Sequence, residues 1–518
     1  MKTINPMIRL ALIVTLCSPV GHTNARMDSD FELWKKQQQQ AFQTFKDDRD
    51  LAFAEFLKRQ WQEMQLMQGI IPDETPKPTD TPVYTPPTDA PPEGEPDSDK
   101  EPAPAPQQTP SITPMPQPEA GSPLEPEPDE LPSMPEPETS QRTLQLNFFD
   151  TSVTVSHQVG LNPPFGKSVN KEAISDFWEA MSRTNPANFL RQVRNYKQQM
   201  ALNDWGYCLL LYRIGEQLYP EQRNAALLFV WFMLLKSGYA ARAGYDANQI
   251  YLMLPSVNTV YDTPYVTVGN SGDRFYAVSL DGQPKRAAQS IYTYEGNYPG
   301  ADRRIDFNIE QAPKLGNRAV HKTFRFNYKG KDIAFGVNVN QSLLDFFKNF
   351  PATDLSIRFR ATLSIEAQLS LFEALKPLLD GVSKREALNL LLRFVQTAFS
   401  YETDQEQFGQ EKALFPEETL GYEASDCEDR AVLFSFLVRK LLNLKVIGLD
   451  FPGHIATGVK LEADTPGDAV VYEGERYLIC DPTYINATCG VCMPQYKTIN
   501  PAVIQTEAKT GTLKESNR

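Results

Sequence analysis

From residue 431 the apolar positions run nearly all round the helical wheel. Ser425-Asp426-Cys427-Glu428-Asp429-Arg430 is followed by Ala431, Val432, Leu433, Phe434, Phe436, Leu437, Val438, Leu441 and Leu442. Such a run predicts a helix buried in a core, with Cys427 at its N-terminal end. Residues 223–242 are built alike: an apolar helix over 225–235 ends at Ser237-Gly238 and leads into a strand. Helical patterns over 170–201 and 205–219 precede it, and helices over 365–379 and 384–399 lead into the Cys427 stretch. Period-two alternation opens the body at 144–155 and dominates from 261 to about 360. There Phe324, Phe326 and Tyr328 share a face, Lys329-Gly330-Lys331 turns the chain, and Ile333, Phe335, Val337 and Val339 return. Helices, then a thiol-bearing helix, then antiparallel strands carrying His454 and Asp481 make an α+β arrangement.

The N-terminal third reads differently. Aligned in elevens, residues 30–67 put Phe31, Phe42, Phe53 and Met64 in one column and Trp34, Phe45, Phe56 and Met67 in another. Eleven residues make three helical turns, so both columns stay on one face of a straight rod. A helix with that stripe calls for a cover: self-association or a protein partner, a membrane surface, or this chain's own core. Residues 72–140 hold more than half of the 41 prolines and almost no large apolar side chain, which predicts a disordered, extended tether. At the start, Lys2 and Arg9 bracket the approach to an apolar run over 10–16, and Thr23-Asn24-Ala25 supplies small residues for cleavage. The expected organisation is a signal peptide at 1–25, the amphipathic helix at 26–70 and the Pro-rich acidic linker at 71–142. A helical region at 143–256, a β-rich domain at 257–362, a second α+β domain at 363–500 and a flexible tail at 501–518 follow.

Charge and cysteines narrow the function. A net charge of −14 with no basic stripe argues against a nucleic-acid partner, and leaves membrane contact only to the N-terminus. Removing the leader leaves five cysteines, Cys208, Cys427, Cys480, Cys489 and Cys492. An odd number in an exported chain leaves a free thiol. Cys489-Gly490-Val491-Cys492 has no second pair and no nearby His, so zinc is not expected. A short-loop disulfide or two unconnected buried thiols fit it, with a redox role as the lesser reading.

A thiol at a helix N-terminus is favoured as thiolate by the free N–H groups and the dipole, and a neighbouring His adds to this. The chain supplies the His in Pro452-Gly453-His454-Ile455-Ala456, and a carboxylate in Cys480-Asp481-Pro482-Thr483-Tyr484. Taken singly, a Cys on an apolar helix is usually a small buried hydrophobe and Asp-Pro a turn. In this order, over residues 380–500, they resemble the core of the bacterial transglutaminase-like superfamily of papain-like thiol enzymes. The resemblance implies that Cys427 is the nucleophile, His454 its acid/base partner and Asp481 the group orienting the imidazole. No cofactor and no metal are expected.

The expected activity is an exported, periplasmic or secreted, thiol enzyme acting on a peptide or amide bond of a protein or peptide substrate. One oxyanion donor is expected from the Cys427 backbone N–H, and Asp429 is expected at the helix start or in packing. The rival reading is a non-catalytic adaptor that binds a protein partner through the helix and the cleft. The 223–249 stretch reads as a degenerate copy of the half-core, with Gln222 or Arg223 and Gln249 in the places of the nucleophile and base, or as an unrelated helix–strand unit.

Overall fold

The computed structural model describes residues 48–71, 77–86, 113–114, 141–269, 272–282 and 288–507. The expected leader, the first eleven-residue repeats, most of the linker and residues 508–518 lie outside these. The chain divides into two units, 1–53 and 54–518. In the first, residues 48–53 are helical. All that follows concerns the second, an α+β body of helices and antiparallel sheets. No helix among the described residues is long and apolar enough to cross a membrane.

The expected helix over 26–70 stops at residue 59. Gln62–Gln65 is a strand, paired antiparallel with Ser290–Thr293. Periodicity misleads here because Phe56 and Trp61 already have a cover within the chain. Both rings lie edge-on to Tyr294, at 5.7 and 5.2 Å. The sheet they join runs 62–65, 290–293, 242–245, 250–255, 273–278 and 265–268. Strands from both sides of residue 256 therefore pair in one sheet, so the expected boundary there falls inside a single layer. Behind that layer lies Arg223–Lys236, buried from Ala225 to Leu235 as its all-round apolar sequence requires. It is followed by an antiparallel strand pair, the same order as the Cys427 half. Arg223 itself pairs with Asp281, and Gln249 bonds to Asp246 and Tyr251. The helical pattern over 170–201 is two helices, Lys171–Ser182 and Ala187–Gln199, parted at Pro186.

The hairpin Ala319–Tyr328 with Lys331–Asn340 forms as read, turning at Lys329 and Gly330, both at positive φ. Its inward faces, Phe324, Phe326, Val337 and Val339, share a core with Leu371, Leu388, Leu391, Phe434 and Leu437. The hairpin thus belongs with the thiol-bearing part of the body, which corrects the boundary at 362. Between lie two short helices, Gln341–Phe347 and Leu355–Arg360, inside the stretch expected to be β-rich.

Cys427–Leu437 is a helix with every residue buried, continued by a π-helical turn over Val438–Leu442. It packs on an antiparallel sheet ordered 469–472, 475–480, 454–459, 446–451 and 502–505, to which 113–114 adds a parallel edge. Ala502–Gln505 corrects the expected tail, since Val503 and Ile504 are buried against Leu449 and Phe359. The strands Val446–Phe451 and His454–Val459 are joined by Pro452-Gly453 alone, with Gly453 at φ 71°. A side chain there would be strained, so this tight turn fixes where the second strand begins, and it begins with His454.

Candidate active site

Cys427 is the first residue of its helix, behind Asp426 as N-cap. The Asp429 carboxylate accepts from the Asp426 N–H at 3.2 Å and from the Leu414 N–H at 2.8 Å, so Asp429 shapes the helix start, as the sequence suggested. The thiol packs with Ile455 and Phe359, which brings it beside the strand residue next to His454.

His454 is buried. Its Nε2 lies 2.8 Å from Asp481 Oδ2, its ring stacks on Tyr496 with centroids 5.4 Å apart, and its Nδ1 has no hydrogen-bond partner among the described residues. A carboxylate only accepts, so it holds the proton on Nε2 and leaves the Nδ1 lone pair free to take one. Asp481, one residue beyond Glu475–Cys480, is itself held: its Oδ1 accepts from the Thr483 and Tyr484 N–H groups at 2.9 and 3.1 Å. The structure thus brings His454 and Asp481, two of the residues singled out in the sequence, into direct hydrogen-bond contact.

The thiol is not in the expected state. Cys427 Sγ donates to Glu428 Oε2 at 3.3 Å, not to the imidazole. Burial pushes this thiol well above its ordinary value, and Glu428 and Asp426 push it further. Lys77 and the Ile455 N–H pull against them. The helix terminus is outweighed because Cys427 is fully buried beside two carboxylates. At rest the sulfur is a thiol, and the low thiolate pKa read from its helix position is corrected.

Four further residues surround the site. Gln396, on Lys384–Thr397, brings its Nε2 to the carbonyls of Asp481, Tyr484 and Ala487 at 3.1, 2.7 and 3.0 Å. Arg430, one turn along the Cys427 helix, donates to the carbonyls of Gln396 and Phe399 at 3.4 and 3.0 Å. Cys480 and Cys489 form a disulfide that encloses this same loop. Closing so short a loop contributes about 2–3 kcal/mol in the chain-entropy account. The disulfide corrects the Cys489–Cys492 expectation; Cys492 is a free, buried thiol whose pKa burial pushes up to about 12. Arg430 lay within the quoted motif, but nothing in sequence tied it to residues 396–399. Gln396 was detectable only as a polar residue ending an apolar helix face.

The N-terminal end of the Cys427 helix is strongly acidic. Asp404, Glu411, Asp426 and Glu428 surround one cation, Lys77, from the stretch expected to be a disordered linker. Burial, then Glu428, raises the Asp404 carboxyl to about 7, while the Glu428 carboxyl is held down near about 2, with burial opposed chiefly by Lys77. A carboxyl raised by folding stabilises the fold below its unfolded value near about 4 and loses that contribution as pH climbs through about 7. Glu428 works the other way, its contribution being lost only as pH falls from about 4.5 towards 2. Urea midpoints at pH 5 and pH 8 should therefore fall less in Asp404→Asn than in the parent; equal falls would refute this assignment.

A cavity of about 420 Å³ is lined by Arg385, Arg393, Gln396 and Asn486. Groups with metal-ligand spacing occur among the described residues at Asp404, Glu411 and Glu428, and at Asp404, Asp426 and Asp429. Comparison with protein families, curated proteins and solved structures finds no match for the chain.

Proposed function

We propose that this chain is an exported thiol enzyme of transglutaminase-like type that cleaves, or transfers the acyl group of, a peptide or amide bond. The observation that carries the reading is the free Nδ1 of a buried imidazole whose Nε2 is fixed by Asp481. Cys427 gives its proton to Nδ1 as sulfur attacks the carbonyl carbon. The tetrahedral intermediate collapses with loss of the C–N bond, and His454 hands the proton to the departing amine. Water, or a second amine, then adds to the thioester, and the thiol is returned. The Cys427 side chain must first turn from Glu428 to the imidazole.

A non-catalytic adaptor is the second reading, favoured by the raised thiol and its contact with Glu428. The two are separated by incubating the full chain with a peptide library and reading new termini or crosslinks by mass spectrometry. The enzyme reading expects products that vanish in Cys427→Ala and persist in Cys208→Ala. If even a Lys77→Ala chain yields no Cys427-dependent product, the adaptor stands.

A further inference from the structure

Residues 77–86 lie along the candidate site from one end to the other. At one end Lys77 Nζ sits 3.1 Å from Asp426 Oδ2 and 2.5 Å from Glu411 Oε1, and bonds to Glu428 as well. Glu428 is the carboxylate that also receives the Cys427 thiol. The strap then passes Tyr401, whose hydroxyl donates to the Pro78 carbonyl. At the other end Pro82 O accepts from the Ile485 N–H and the Tyr84 N–H donates to Ile485 O, both at 2.8 Å, while Tyr84 lies edge-on to Tyr484. Ile485 belongs to the loop that follows Asp481. The strap thus reaches from the nucleophile's side to the carboxylate's side, paired through its backbone as an extended peptide would be.

The acidic end has more acceptors than Lys77 satisfies. Asp426 is fully buried, and its Oδ1 has no hydrogen-bond partner among the described residues. Buried carboxylates gathered this closely are costly without a cation, and Lys77, 327 residues before Asp404, is recruited to neutralise them.

We propose that residues 77–84 occupy the substrate cleft from within the chain, and that the pocket of Asp404, Glu411, Asp426 and Glu428 selects a cationic side chain on an extended peptide substrate. The strap must leave before that peptide can enter. This rests on the thiol-enzyme reading, and the test separates the two. In the full chain, iodoacetamide alkylation of Cys427 is followed by peptide mapping across pH, so that the high-pH plateau reports access and the midpoint reports acidity. Lys77→Ala raises the plateau at least tenfold, and also moves the midpoint up, because a cation near the sulfur is gone. Tyr84→Ala, which frees the other end without touching the pocket, raises the plateau as well. Nα-acetyl-lysine amide slows the Lys77→Ala chain saturably, and Nα-acetyl-norleucine amide does not. Buried Cys208 stays slow throughout, reporting an intact fold. An unchanged plateau in both variants, equal protection by the norleucine amide, or protection by calcium ion alone would overturn the proposal. If His454→Ala in the Lys77→Ala background leaves the profile unmoved, the enzyme reading falls while the strap and its pocket stand.

Discussion

Asp481→Asn should lower kcat by about 10³–10⁴-fold with little loss of stability, the scale seen when an imidazole is held in the wrong tautomer. Both oxygens of this carboxylate serve as acceptors: Oδ1 for two backbone N–H groups, Oδ2 for the imidazole. An amide has one oxygen. Turned towards Thr483 and Tyr484, it presents its NH₂ to Nε2, which must then accept, so the ring proton moves to Nδ1 and the base is lost. Turned the other way, its NH₂ meets two N–H donors and the loop opens. The first arrangement keeps the fold, so the variant should unfold at nearly the parent's temperature while failing with any substrate the parent turns over. Its pH–rate profile should lose the limb belonging to the imidazole. Full activity in Asp481→Asn would mean that Nε2 protonation is set elsewhere and that His454 is not the base.

The residues carrying this argument were readable because each sits where local rules are strict. Cys427 opens a fully buried helix, His454 follows a two-residue turn, and Asp481 comes just after a strand and ahead of a proline. Pairing between distant segments was not readable. Nothing near Gln396 announces that its amide will hold the 481–487 loop, and nothing in a proline-rich stretch announces that Lys77 will sit among four carboxylates. The acidity of Cys427 failed for the same reason: helix position is local, but burial and the Glu428 and Asp426 charges come with the fold. The repeat at 30–67 shows the converse, a periodic pattern cut short because residues 62–65 find a strand partner at 290–293.

Arg430→Ala should cost about 3–5 kcal/mol of stability, the range for breaking a buried charge from its partners while opening a cavity. Burial lowers the pKa of this guanidinium to about 10, opposed by Tyr401, Asp426 and Asp429, so it stays charged at neutral pH. Its donors meet the carbonyls of Gln396 and Phe399, at and just beyond the C-terminal end of Lys384–Thr397, where helical carbonyls lack partners and a positive charge is favoured. Arg430→Met keeps most of the volume and loses only the donors and charge, so it should cost less than Arg430→Ala, and the difference measures the cavity. The consequence for the site is indirect but specific. Arg430 fixes the helix end that carries Gln396, and Gln396 fixes the carbonyls around Asp481. In Arg430→Met, kcat should therefore fall, and the alkylation midpoint of Cys427 should move up, because this guanidinium interacts with the sulfur. A Gln396→Ala, Arg430→Met double variant should lose less than the two single losses summed, because both act on one loop. Strict additivity in kcat would show that the Cys427 helix and the Asp481 loop are held independently, and the chain of contacts from Arg430 to the imidazole would carry nothing.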